Sequence, residues 1–189
     1  MLEIIKKNRT VRKFTQKQIP DQDFDNIIES VRFTASAANL QKLRYITVKD
    51  SGICEDIFKC LMWAGYLKAW DGPKVNERPT SYVIAVTEEI STPQTWFDIG
   101  IASEALLLNA TSKGYGGCIF LSIDREQLKK CLQTDYEIVT VIALGEPAEK
   151  VVVDDVIDNN IKYYRDENGI HHVPKRRMED LIVKEFRNR

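Results

Sequence analysis

Cations gather at two distant places in this chain. Near the N-terminus, Asn8-Arg-Thr-Val-Arg-Lys-Phe14 sets Arg9, Arg12 and Lys13 around the hydroxyl of Thr10. Guanidinium groups this close together can grip one phosphate, or a carbonyl of a pyrimidine-like ring, through charge-assisted hydrogen bonds. A solvated basic helix end would use the same residue types. Lys175-Arg-Arg177 is the second cluster and precedes a helical stretch. Cations at a helix start oppose its dipole, which points to a compensating anion.

Two uncharged stretches could line a flat ligand. In Thr34-Ala-Ser-Ala-Ala-Asn-Leu-Gln41, small residues permit close backbone approach, and Ser36, Asn39 and Gln41 supply donors and acceptors. A helix cap and loop, with Asn39 in the left-handed region, would read the same way. In Lys113-Gly-Tyr-Gly-Gly-Cys118, glycines at 114, 116 and 117 would let backbone N–H groups come close to a ligand. This stretch closes a helix and lacks the G-x-G-x-x-G spacing, so a dinucleotide or phosphate-loop fingerprint is rejected. An ordinary helix-to-strand turn is the alternative. Cys118 reads as a buried structural thiol, and His171-His172 as a surface pair.

Composition narrows the classes. The 189 residues carry 27 Lys plus Arg against 28 Asp plus Glu, a net charge of -1, with 43% hydrophobic and 29% charged residues. These are values of an ordinary globular chain that can bury one sizeable core. The charge balance offers no global field for nucleic acid or an anionic membrane, so neither is an expected partner. The most apolar run, Ile99 to Leu108, contains Glu104 and is far shorter than the roughly 20 residues that span a bilayer. Cys54, Cys60, Cys118 and Cys131 form no metal-type spacing, and Met1 to Asn8 is an amphipathic start without an apolar signal core. A cytoplasmic protein with free thiols and no bound metal is expected.

The elements that must carry these stretches can be read from periodicity. A short helix begins at Leu2. Asp21 is a candidate N-cap for a helix whose Phe24, Ile27, Ile28 and Val31 share one face. Arg44 to Val48, Ser81 to Thr87, Gly116 to Leu121 and Tyr136 to Leu144 read as strands, the last doubly buried. Helices are expected around Ile57 to Leu61, over Thr95 to Lys113 with Gly114 ending it, and over Arg125 to Leu132. The 95–113 helix has almost no polar face and should be buried on all sides. Trp63, Tyr66 and Trp70 could stack on a ring at a pocket mouth or pack in the core. Val151 to Val173 is charged and poorly periodic, and suggests an extended arm before a last helix from Met178 to Phe186. One α+β domain over 1–189 follows, with 150–189 as its C-terminal arm and final helix.

The order of these stretches carries a resemblance that no single one does. Arg-Thr-Val-Arg-Lys-Phe14 resembles the R-R-S-x-R-x-F opening of the nitroreductase family of flavoproteins. Ala35-Ser-Ala-Ala-Asn-Leu-Gln41 is similar to its A-P-S-x-x-N-x-Q segment, and the helix from Asp98 to Thr111 to its D-x-G-x-A-x-x-N-L-L-L-A-A helix. Gly114-Tyr-Gly-Gly-Cys118 resembles its G-x-G-x-C turn, Leu144-Gly-Glu-Pro147 its strand end, and Lys175-Arg-Arg177 its C-terminal basic cluster.

The resemblance implies a three-layer sandwich, a central mixed and mostly antiparallel sheet flanked by helices, in an intertwined homodimer with FMN between subunits. NAD(P)H would be the co-substrate. Hydride would pass through flavin N5 to a nitroaromatic, quinone or similar acceptor in ping-pong order, with no catalytic side chain required. Arg9, Thr10 and Arg12 would hold the phosphate, ribityl chain or pyrimidine edge. Ser36 and Asn39 would line the flavin from the partner subunit, with Gln41 also cofactor-binding. Gly116 and Gly117 would lie near N5, and Lys175 and Arg177 would grip the phosphate. The chain departs from the pattern at Asn8, where the family has an arginine, and at Glu104, where it has an asparagine. It also departs at Ala35, in place of a proline, and at Lys42-Leu43, in place of Pro-Trp. Those departures, with the unpatterned tail, leave a non-catalytic flavin-binding or sensing protein of the same fold as the alternative.

Overall fold

Ser81–Thr87 (β2) and Glu137–Gly145 (β4) lie side by side at the centre of the computed structural model, which describes residues 1–187. Arg44–Val48 (β1) flanks β2 and Gly116–Phe120 (β3) flanks β4, giving a sheet of order β1-β2-β4-β3 with antiparallel neighbours. The mixed character enters at one edge, where Thr10 forms a parallel bridge to Gly117. β2 is buried along its whole length, as expected of a central strand covered on both faces.

Strand side chains alternate between faces, so each strand feeds two cores. Val83, Ile142 and Leu144 point to one face, against Phe24 and Ile27 of the helix Asp21–Glu29 (α2) and Leu106 of the helix Pro93–Ser112 (α4). Tyr82, Ile84 and Val141 point to the other, against Ile57 of the helix Ser51–Lys59 (α3) and Leu128 of the helix Arg125–Leu132 (α5). Each such fully buried aliphatic side chain contributes about 1.5–3 kcal/mol. A short helix, Leu2–Lys7 (α1), packs on α4. The result is the expected three-layer sandwich.

Local rules set the helix starts. Asp50 accepts from Ile53 N at 2.9 Å and Asp124 from Gln127 N at 3.0 Å, each capping its helix. α4 opens two residues earlier than expected, with Thr92 and Thr95 in a reciprocal capping box and Pro93 in its first turn. Asp21 is not the cap of α2. Pro20 occupies that position, and Asp21 begins the helix with its carboxylate on Lys49.

Three expectations are corrected. α4 is not buried on all sides within the chain: Phe97 is 74% exposed, and Trp96 and Ile101 are also uncovered. The segment from 151 is not an extended arm. Val151–Asp155 (β5), Tyr164–Arg165 (β6) and His171–Lys175 (β7) form a second sheet of order β5-β7-β6, with β5 parallel and β6 antiparallel to β7. Its charges pair within the fold, Arg165 to Glu149 at 2.8 Å and His172 to Asp154 at 2.7 Å, so they need no solvent-facing arm. The last helix covers only Met178–Leu181 (α6), and Val183 beyond it is exposed with nothing to pack on.

Candidate functional site

The two ends of the chain meet at a cavity of about 480 Å³. Arg9, Thr10 and Arg12 line it from the N-terminal stretch, Lys175 and His171 from β7, and Glu104 from α4. Two of the cation clusters read from sequence therefore converge, although some 160 residues separate them.

Glycines let the N-terminal stretch lie this close to the sheet. A Cβ on Gly116 would come within 2.8 Å of Val11 Cγ2, and one on Gly145 within 2.8 Å of Phe14 Cδ1. With those atoms absent, Val11 N donates to Gly117 O at 2.9 Å, and Ala148 N donates to Lys13 O at 2.9 Å. The Glu149 carboxylate then accepts from the backbone N–H of Arg12 and, at 3.0 Å, of Lys13. Gly116 and Gly117 are thus buried packing positions that aim residues 9–12, and their empty Cβ spaces are filled by this chain's own atoms.

The Arg12 guanidinium is partly committed. Its Nη1 donates to His171 Nε2 at 3.0 Å, and its plane lies over the Tyr163 ring, 4.6 Å from the centroid. That bond makes Nε2 the acceptor and leaves the ring proton on Nδ1, which is buried without a partner. Burial first, and then the Arg12 charge, push His171 down to about 4, so the imidazole is neutral at ordinary pH. The expected surface pair is split by strand alternation. His171 is fully buried towards the cavity, while His172 is clamped between Asp154 and Asp166, at 2.7 and 3.5 Å.

The other cations are less engaged. Arg9 donates to Ile5 O, while its buried Nε has no partner. Among the described residues Lys175 makes no ion pair. Arg177 lies outside the cavity, with Nε 3.0 Å from Asp155 Oδ2, so Asp155 and Glu179 are the anions that answer the cations at that helix start. Burial pushes the Cys118 thiol up to about 12 despite Arg12, which keeps it protonated and inert.

Ser36, Asn39 and Gln41 line a separate cavity of about 300 Å³, with Asp98 of α4 beneath them. Ser36 Oγ donates to Asp98 Oδ2 at 2.6 Å and accepts from Gln41 N at 2.9 Å, while Ala37 N donates to Asp98 Oδ1 at 2.8 Å. This web holds Ala38, Asn39 and Gln41 in the left-handed region, at φ of 49°, 52° and 50°. Asp98 is the buried carboxylate that organises the loop.

Sequence reasoning missed Tyr163 and His171 as cavity walls. The His-His-Val-Pro-Lys run was the available signal, because a strand there puts His171 and His172 on opposite faces and frees His171 to turn inward. Of the aromatic stretch, Tyr66 packs at a tilt against Tyr163, with centroids 4.9 Å apart, beside the cavity. Trp63 instead packs on Phe120 at 4.6 Å in the α3/α5 core.

Known proteins share this architecture. A family described as "Putative TM nitroreductase" matches residues 1–182. A curated relative from Methanothermobacter thermautotrophicus, named "Putative NADH dehydrogenase/NAD(P)H nitroreductase", is 26% identical over 166 residues, covering 84% of this chain and 83% of the relative. A nitroreductase family protein from Clostridium novyi NT superposes with a TM-score of 0.65 at 21% identity, covering 92% of this chain and 93% of that one. An FMN-dependent nitroreductase from Clostridium difficile R20291 gives 0.66 at 18% identity, covering 79% and 89%. Matched over nearly all of its described length, the chain belongs to the nitroreductase family of oxidoreductases.

Proposed function

We propose that this chain is an FMN-dependent oxidoreductase that uses NAD(P)H to reduce nitroaromatics, quinones or similar electron-poor acceptors. The observation that carries this reading is the cavity at which Arg9, Arg12 and Lys175 meet with no carboxylate paired to any of them among the described residues. The buried, partnerless Nε of Arg9 is a donor waiting for an acceptor, and buried donors are normally satisfied. An anionic, acceptor-rich ligand such as a flavin mononucleotide answers both features. When bound, FMN supplies the capacity to take a hydride from NAD(P)H and pass it on to a second substrate in ping-pong order.

This chain's own residues bind and orient. Arg9 and Lys175 would hold the phosphate, with Thr10 donating to it or to the ribityl chain. Arg12, held flat by Tyr163 and His171, offers fixed positive charge to the pyrimidine edge, where negative charge develops on reduction. His171 is neutral and does not compete for that role. Arg177, paired with Asp155, keeps the Lys175 end of β7 in place.

A homodimer completes the reading. Ser36, Asn39 and Gln41 open onto a different cavity from Arg9 and Lys175, so a second copy would have to present them to the flavin. Phe97, Trp96 and Ile101 on α4 give such a copy an apolar face to cover.

The test is direct. Purified protein should take up FMN, show its visible absorption bands, and then oxidise NAD(P)H when a nitroaromatic or quinone is added. Protein that stays colourless with FMN overturns the flavin reading. Flavin binding with no NAD(P)H consumption leaves a flavin-binding protein without turnover.

A further inference from the structure

We propose that Glu104 is an affinity-setting residue that keeps a phosphate monoester exchangeable in this cavity, so that the flavin phosphate is held loosely. This rests on the flavin reading above. Glu104 and Leu107 sit one turn apart on α4 and both line the cavity. Asn8 Nδ2 donates to Glu104 Oε1 at 3.3 Å, and Asn8 Oδ1 accepts from Thr111 Oγ1 at 3.4 Å. The second bond orients the amide so that its NH₂ faces Glu104, whose exposed carboxylate lies at the cavity edge. Among the described residues Glu104 pairs with none of Arg9, Arg12 or Lys175.

A carboxylate only accepts hydrogen bonds, so it has nothing to donate to a phosphate oxygen, and it repels the phosphate charge. Asn8 adds no charge of its own. The cavity lining therefore offers three cations against one anion. Near a part-solvated surface, one unit charge several ångströms from a phosphate changes affinity by roughly tenfold. A sugar hydroxyl or an uncharged ring does not feel that repulsion, so the effect discriminates by phosphate alone.

The experiment measures equilibrium binding of FMN, riboflavin and inorganic phosphate to the full chain and to Glu104→Gln. Flavin fluorescence reads the first two and phosphorus NMR the third. In Glu104→Gln, FMN and phosphate should tighten by roughly tenfold, with slower FMN release, while riboflavin stays within about twofold. Glu104→Ala, which removes the same charge from an exposed helix position, should tighten FMN in the same direction and serves if Glu104→Gln does not fold. Unchanged or weaker FMN and phosphate binding in folded variants overturns the proposal. So does an equal gain for riboflavin, which would place the effect away from the phosphate. Phosphate binding that tightens while no variant takes up FMN refutes the flavin reading and leaves the role of Glu104 standing. Protein that binds neither probe overturns both.

Discussion

Gly117→Ala separates two explanations of the same glycine. If the residue is glycine so that a ligand can approach the backbone, an added methyl should spare stability and harm binding alone. Packing in the structure adds a stability cost to any effect on binding. A Cβ there would overlap the Ala143 carbonyl oxygen on the neighbouring strand, come within 2.7 Å of Leu107 Cδ2 and lie 3.0 Å from Leu144 Cδ2. The first obstacle is backbone, which cannot rotate away, and the other two belong to fully packed side chains. Overpacking of this kind costs about 1–3 kcal/mol, and the backbone overlap sets this case at the upper end, about 3 kcal/mol. For a chain of this size that lowers the melting temperature by roughly 6–12 °C. Gly117 O also accepts from Val11 N at 2.9 Å, so a shifted β3 misaims Arg12, and FMN affinity should fall with stability. Thermal unfolding followed by circular dichroism, with and without FMN, measures both. A variant that melts within about 2 °C of the parent, less than a 1 kcal/mol effect, would refute the packing argument.

Opposite pH slopes are expected from the two histidines. His171 is held down at about 4 by burial and Arg12, so its contribution is present above the unfolded value near 6.5 and is lost as pH falls towards 4, roughly 3 kcal/mol at most. His172 is raised, first by its hydrogen bond to Asp154, so its contribution is full at low pH and lost as pH rises through its folded value. Urea denaturation from pH 4 to 8 should flatten on the acid side in His171→Gln and lose acid-side stability in His172→Gln. Arg12→Gln removes a charge that depresses His171, so the imidazole should titrate at higher pH by NMR. Lys175→Ala should weaken FMN binding by roughly tenfold or more through a lost charge-assisted contact, while Arg177→Ala, outside the cavity, should change it less than about twofold. Phe97→Asp should yield monomers in sedimentation velocity if the exposed face of α4 is the dimer contact.

The layered core was legible because its signals are local. Ser81–Thr87 and Arg125–Leu132 fall where periodicity puts them, and the basic N-terminal stretch does line a cavity with Lys175. Cooperation between distant residues was not legible. The 151–173 segment looks like an extended arm because each charge is read alone. In the fold, Glu149 accepts from Arg12, Lys13 and Arg165, and Asp154 accepts from His172. Those partners are up to 137 residues apart, so no window along the chain contains the compensation.

The same blindness hides what holds Arg12, which reads as a cation for a phosphate, a ribityl chain or a pyrimidine edge. Its type and spacing are right, but a guanidinium has a fixed fork of donors, and one arm already donates to His171 while the plane rests on Tyr163. Both partners come from the segment that reads as an extended arm. An arginine held this way loses freedom and gains direction, so less ordering entropy is lost when it meets a ligand. On the flavin reading, the second sheet therefore helps to position the site, since His171 of β7 holds Arg12. Breaking it, for example through His172→Gln at low pH, should weaken ligand binding without touching any residue that contacts the ligand. A solvated tail would not transmit that change.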